Sequence, residues 1–344
     1  MSNEITNLED WSFIWLENGK RAITHQRTHA RDVKLIVETM AQVVQTKVRL
    51  FYTETQANRT IARATPLGVR FLRCLKADTQ AIHRQYPQHR FSPLYIIFKR
   101  HTSAIRYEYE KLHPGTVEYL NNAVSKIRRL ARGTAVPKRL DNLKRAERDN
   151  ARRAKDLLTD LRKHYSKLVV IRIDLEYFSE YGPGGFHGQG IDLKVAQEHR
   201  DQFLDYLRRG PFEYCMAGYV WKLEWGFEKG HHLHFAIFLD GQKVRQDIVI
   251  ADALGDHWKI ITEGKGMFYN CNKAKEKYQE CGIGTILRSD DGSWETLKKV
   301  VRYLTKVDYY VRFQVRDRSR TFGAGGVYPP NPRQNRVRQT ISPS

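Results

Sequence analysis

The segment from Tyr214 to Leu239, YCMAGYVWKLEWGFEKGHHLHFAIFL, constrains the fold more than any other part of the chain. Two runs rich in aromatic and aliphatic residues flank the turn Gly226 to Gly230, a pattern that predicts an antiparallel hairpin. Successive side chains of a strand point to opposite faces, so residues two apart share one face. His232 and His234 therefore project together, while Leu233 turns the other way into a core and His231 faces away with it. Glu224 stands eight residues before His232, at the end of the first strand, and the turn folds it back beside the imidazoles. Two imidazole nitrogens and one carboxylate oxygen suit a divalent ion such as Mg²⁺ or Mn²⁺, with positions left open for substrate oxygens. Glu228, in the turn itself, is the competing carboxylate.

The elements around the hairpin extend the reading. KLVVIRIDLEYF (Lys167 to Phe178) reads as a strand, followed by the loop YGPGGFHGQG, which lacks the Lys-Ser/Thr ending of a phosphate loop. LKVAQEHRDQFLDYLRR and KVRQDIVIADALGDHWKII are helical, GIGTILR is a short strand, and WETLKKVVRYLTKVDYYVRF is a final helix. Strand, helix, hairpin, helix, strand, helix predicts an α+β fold: a central antiparallel sheet flanked by helices, which pack on one face with the hairpin strands central. The first 165 residues or so read as mostly helical, with helices over Asp32 to Phe51, Pro93 to His113 and the segment capped by Thr116. After the break GTAVP comes a long charged helix, Lys138 to Tyr165, with a thin apolar stripe. The tail TFGAGGVYPPNPRQNRVRQTISPS has no periodic apolar face and is expected to be mobile, or ordered only on a partner.

Charge narrows the partner. The 344 residues carry 59 lysines and arginines against 38 acidic residues, a formal +21, and such an excess on a compact surface points to a polyanion, here nucleic acid. Lys299 and Arg302 on the last helix, Arg172 on the first strand and Arg320 in the tail are the candidate DNA contacts. The four cysteines show no CxxC or Cys/His spacing, which excludes a zinc knuckle and fits reduced thiols. No signal-peptide pattern and no membrane-length apolar run is present, so the expected location is the cytoplasm of a bacterial host cell, with no membrane partner.

A nucleophile candidate lies in the last helix. Tyr303 and Lys306 are three residues apart and share a helical face. A free phenol has a pKa of about 10, so a neighbouring ammonium matters: it favours the phenolate and neutralises a phosphate oxygen. With a dication, this pair makes a set able to attack a phosphodiester. Tyr310, two turns further on, is a candidate second nucleophile, or a packing or base-stacking residue.

These motifs resemble those of the HUH endonucleases. GHHLHF resembles the histidine–hydrophobic–histidine motif, Glu224 is similar in spacing to the carboxylate ligand of viral replication initiators, and YLTK matches tyrosine–x–x–lysine. LVVIRIDLEY and RTFGAGG look like the rolling-circle replication initiators of the inovirus (filamentous-phage) type, and the resemblance covers Lys167 to Gly326. It implies an HUH/RRM-like core with His232, His234 and Glu224 as metal ligands, Tyr303 as nucleophile and Lys306 as its helper. The implied activity is metal-dependent nicking and strand transfer on single-stranded or hairpin origin DNA through a 5′-phosphotyrosine. A relaxase or transposase shares that chemistry, and a non-catalytic DNA-binding regulator is the alternative. No helicase P-loop follows, so unwinding falls to a separate helicase. The implied division is 1–136, helical and a candidate for DNA recognition; 137–320, the nuclease domain with its leading basic helix; and 321–344, a flexible basic tail.

Overall fold

The computed structural model describes residues 13–15, 21–23, 26–85, 89–105, 112–182, 190–226, 230–277, 282–305, 311–313 and 320–326. The chain forms two compact units: Met1–Ala146 with Val307–Gln314, and Glu147–Lys306 with Val315–Ser344. The fold is α+β, with helices in the N-terminal part and around an antiparallel sheet of six strands. Among the described residues no helix is long and apolar enough to cross a membrane.

In the first unit the short strands β1 (Phe13–Trp15) and β2 (Arg21–Ile23) pair antiparallel. Helix α1 (Gln26–Gln45) buries Val33, Ile36, Val37, Met40 and Val43, a helical spacing that puts all five on one face. The helix expected to run to Phe51 stops at Gln45, and residues 51–64 form a hairpin of β3 (Phe51–Gln56) and β4 (Arg59–Ala64). The reason is local. Tyr52, Thr53 and Thr55 favour extended backbone, and Ala57 and Asn58 turn it with φ of 45° and 62°. Helix α2 (Pro66–Leu75) begins at an N-cap, where the Thr65 hydroxyl accepts from the Gly68 amide at 3.1 Å.

Then follow α3 (Thr79–Gln85), β5 (His89–Phe91), α4 (Pro93–Thr102) and α5 (Val117–Arg132). Helix α4 ends at Thr102, short of the expected His113. Thr116 precedes α5 as expected but does not cap it, because its hydroxyl donates to the His113 carbonyl at 2.8 Å. Phe51, Phe71 and Phe98 meet edge-on at the centre of this unit.

The long helix α6 (Ala135–His164) keeps Pro137 in its first turn, where proline is tolerated, and buries Ala154, Leu157, Leu158 and Leu161. The second unit's sheet runs β10–β6–β8–β7–β12, with β9 also on the outer edge of β6. Its strands are β6 (Lys167–Tyr177), β7 (Met216–Gly226), β8 (Gly230–Asp240), β9 (Gly266–Asn270), β10 (Gly284–Leu287) and β12 (Phe322–Ala324). The hairpin β7–β8 is interior, as its sequence predicts, with Glu224 opposite His232 and Lys222 opposite His234.

Helices cover both faces of the sheet rather than one. Val169, Ile171, Ile173 and Leu175 of β6 and Leu233 to Leu239 (odd positions) of β8 pack under α7 (Leu193–Arg209) and α8 (Asp247–Ile261). Leu168, Val170, Ala217, Val220, Ala236 and Phe238 pack on the other face under α6 and α9 (Asp291–Thr305). Strands apolar at both parities demand cover on both sides.

Three further segments differ from expectation. Helix α9 ends at Thr305, and β-prone residues of the YYVRF run form β11 (Val311–Phe313), which pairs with β5. The short strand β9 carries no alternation that would announce it, and it forms by extending β6 at its edge. The start of the tail is ordered: Phe322, Gly323 and Ala324 pair with Lys222, Trp221 and Val220. A Cβ at Gly323 would come within 2.5 Å of the Trp221 indole nitrogen, and one at Gly325 within 2.5 Å of the Tyr219 ring. The glycines of FGAGG thus let backbone lie flat against two aromatic side chains.

Candidate metal centre and catalytic site

The strand register assembles the site. Residues of even number on β6, β8 and β7 form rows across one face: Arg172–Ala236–Val220, then Asp174–His234–Lys222, then His232–Glu224. The first row is the limit of the apolar patch under α9, and the next two are polar. Glu224, His232 and His234 offer three ligand atoms that all lie within 4.8 Å of one another. Nε2 of His232 is 3.5 Å and Nε2 of His234 3.4 Å from the same Glu224 oxygen. The imidazole planes stand at 87° with centroids 5.1 Å apart, so the two nitrogens converge while the rings do not stack.

Both imidazoles are tied from behind. Nδ1 of His234 lies 2.7 Å from Asp174 Oδ1, and Nδ1 of His232 lies 3.1 Å from the Gly230 carbonyl oxygen. An Nδ1–H donated to an oxygen leaves the Nε2 lone pair facing forward, the usual arrangement behind a metal-bound histidine. The donor set therefore fits a divalent cation. Asp174 was not among the residues the sequence singled out. The available signal was register: it lies two residues from Arg172, on a strand whose pairing with β8 places it opposite His234.

Each carboxylate of this patch has a cationic partner. Lys222 is buried beside Glu224 and ion-paired to it, and the Arg172 guanidinium is ion-paired to Asp174. Burial alone would raise the Glu224 carboxyl, yet Lys222 and His234 hold it well below the usual carboxylate range. Burial opposes the charge on His234, but Asp174 and Glu224 on either side lift its pKa to about 9. Desolvation likewise opposes the Arg172 charge, and Asp174, Cys271 and Tyr303 outweigh it. His231, on the opposite face as expected, is buried and pushed down to about 4 by desolvation and by His232.

Tyr303 lies on the last turn of α9, half-buried against the apolar patch and near enough to Arg172 to act on its charge. Lys306, Tyr310 and Glu228 lie outside the described residues. Of the four candidate DNA contacts, Lys299 and Arg302 are exposed on α9, and Arg320 is exposed beside β12. Arg172 is a correction: its side chain is only 12% exposed, engaged by Asp174 and by the Ile173 carbonyl at 3.1 Å, so it is not a free phosphate contact. The described cysteines, Cys74, Cys215 and Cys271, are buried, and no disulfide joins them.

The fold and this site define a class: an α+β domain whose helix-covered antiparallel sheet carries a buried Glu–His–His set able to hold a divalent ion. Residues 132–325 match the family model described as the YagK/YfjJ C-terminal domain, and the chain belongs to that family. Comparison with curated proteins and with solved structures finds no significant match.

Proposed function

We propose that this protein nicks single-stranded DNA and transfers the cut strand through a 5′-phosphotyrosine, as an initiator of rolling-circle replication. One observation carries the reading: the preorganised Glu224–His232–His234 set lies on the sheet face that α9 covers, and Tyr303 stands on the last turn of that helix, packed against the same face. A Mg²⁺ or Mn²⁺ ion held by the three side chains would polarise the non-bridging oxygens of the scissile phosphate. Tyr303 Oη attacks phosphorus, the P–O3′ bond breaks, and the phenol proton is balanced by the proton gained on the departing 3′-hydroxyl. The product keeps one diester linkage, so a later 3′-hydroxyl reverses the step without a nucleotide cofactor. Asp174 keeps His234 in its tautomer, and Arg172 sets positive charge near the phenol. Origin DNA, single-stranded or in a hairpin, is the proposed partner, with unwinding left to a separate helicase.

The test is incubation of the full chain with Mn²⁺ and a randomised single-stranded oligonucleotide pool on a denaturing gel. A covalent protein–DNA band that disappears in Tyr303→Phe and in EDTA is expected. A band that persists in Tyr303→Phe would overturn the assignment of the nucleophile. Salt-dependent binding with no covalent band at all would mark a DNA-binding regulator instead.

A further inference from the structure

Helices α6 and α9 leave a groove of about 830 Å³ between them. Six cations line it: Lys155, Arg162 and Lys163 from α6, Arg288 before α9, and Lys298 and Arg302 from α9. Among the described residues that line it none is acidic, although Asp291 and Glu295 just outside it pair with Arg162 and Lys298. Its floor is apolar, made by Ala154, Leu158, Val301 and Trp294, with the Arg162 guanidinium 5.4 Å over the indole. A cation-rimmed concavity with an apolar floor matches one chemistry: phosphates along the rim and a flat, unpaired base below.

We infer that this groove binds single-stranded nucleic acid; that the bound strand is the one cut at Tyr303 rests on the nicking reading above. Lys155 to Lys163 spans eight helical residues, about 12 Å, more than one phosphate bridges, so the ligand is a strand and not a lone nucleotide. A duplex keeps its base faces stacked and cannot lower one onto Leu158 and Val301. The chain's own tail is a poor occupant, since residues 327–344 carry Arg333, Arg336 and Arg338 and no acid. Trp294, Lys298, Val301, Arg302 and Thr305 line the groove from one side of α9 and helical spacing puts Tyr303 on the other, so a bound strand reaches the phenol only by passing round the C-terminal end of that helix.

The experiment is fluorescence polarisation of the full chain with a labelled oligo-dT strand in EDTA. The variant is Lys155→Glu, Lys163→Glu and Lys298→Glu together, all at exposed positions. Affinity should fall at least tenfold, and the slope of log K against log salt should flatten by about 2. A hairpin duplex of equal length should compete at least tenfold less well than oligo-dT. Unchanged Mn²⁺ affinity, read by electron paramagnetic resonance, verifies that the variant is folded. Affinity within twofold of wild type, or equal competition by the duplex, overturns the inference. Binding in EDTA is independent of the covalent assay, so loss of the nicking reading and loss of this one are separate results.

Discussion

His234 Nδ1 stands 2.7 Å from Asp174 Oδ1, across adjacent strands, and Asp174 is in turn ion-paired to Arg172. This contact fixes which imidazole nitrogen faces Glu224. Asp174→Asn should therefore weaken Mn²⁺ binding by about 10- to 100-fold without removing a ligand. Calorimetric titration of the variant against wild type measures it, and an unchanged affinity would show that the contact does not orient the ring.

The same contact gives the metal affinity a pH dependence. His234 is raised from 6.5 to about 9 in the metal-free protein, so at pH 7 its proton must leave before a cation enters. Mn²⁺ affinity should rise about tenfold per pH unit from pH 7 towards 9 and then level off. Metal-free stability runs the other way. A raised folded pKa contributes stability that is fully present below 6.5 and is lost as pH rises through about 9. Urea denaturation in EDTA at pH 6.5 and 9 checks the second trend, and metal titration across the range checks the first.

Lys222 offers a separate test, because it is the buried ammonium beside Glu224. Lys222→Met leaves a buried carboxylate without that counter-charge and should cost about 3–5 kcal/mol in EDTA. Saturating Mn²⁺ should recover part of that loss, since a dication supplies the missing charge. Denaturation with and without metal reads both numbers, and equal losses in the two conditions would argue against a cation at Glu224.

Gly323 lets β12 lie against Trp221 on the β7 edge. Gly323→Val should destabilise the protein by about 1–3 kcal/mol and speed amide exchange at Leu223, whose N–H donates to the Thr321 carbonyl at 2.8 Å. Exchange measured by mass spectrometry should show the change confined to β7 and β12. Global exchange instead would mean that β12 is essential to the whole sheet.

Tyr303→Phe removes only a hydroxyl from a half-buried ring. It should abolish the covalent adduct while leaving Mn²⁺ affinity within about twofold, because the ring keeps its packing against the apolar patch and the phenol is not one of the three ligand groups. A large fall in metal affinity would make Tyr303 a structural member of the site.

Much of this was legible before any coordinates. The alternation around His232 and His234 set their shared face, and the turn Gly226 to Gly230 brought Glu224 into register opposite His232. Periodicity located α7, α8 and most of α9, since amphipathic helices write their buried faces into the spacing of their side chains. The hairpin at Phe51–Ala64 and the end of α9 were harder, because short β-prone runs beside helical ones carry no period long enough to separate them.

By itself the sequence determined the local periods: which residues alternate, which recur at helical spacing, and so which side chains share a face. Tertiary structure alone decided what those faces meet. Asp174 and Lys222 entered the metal patch because β6 and β7 flank β8, and Arg172 left the set of phosphate contacts because Asp174 claimed it. Likewise FGA became a strand only because the edge of β7 was open to pair. Periodicity is encoded within a segment, whereas partners are chosen by long-range pairing, where unpaired edges and buried charges take the nearest group that satisfies them.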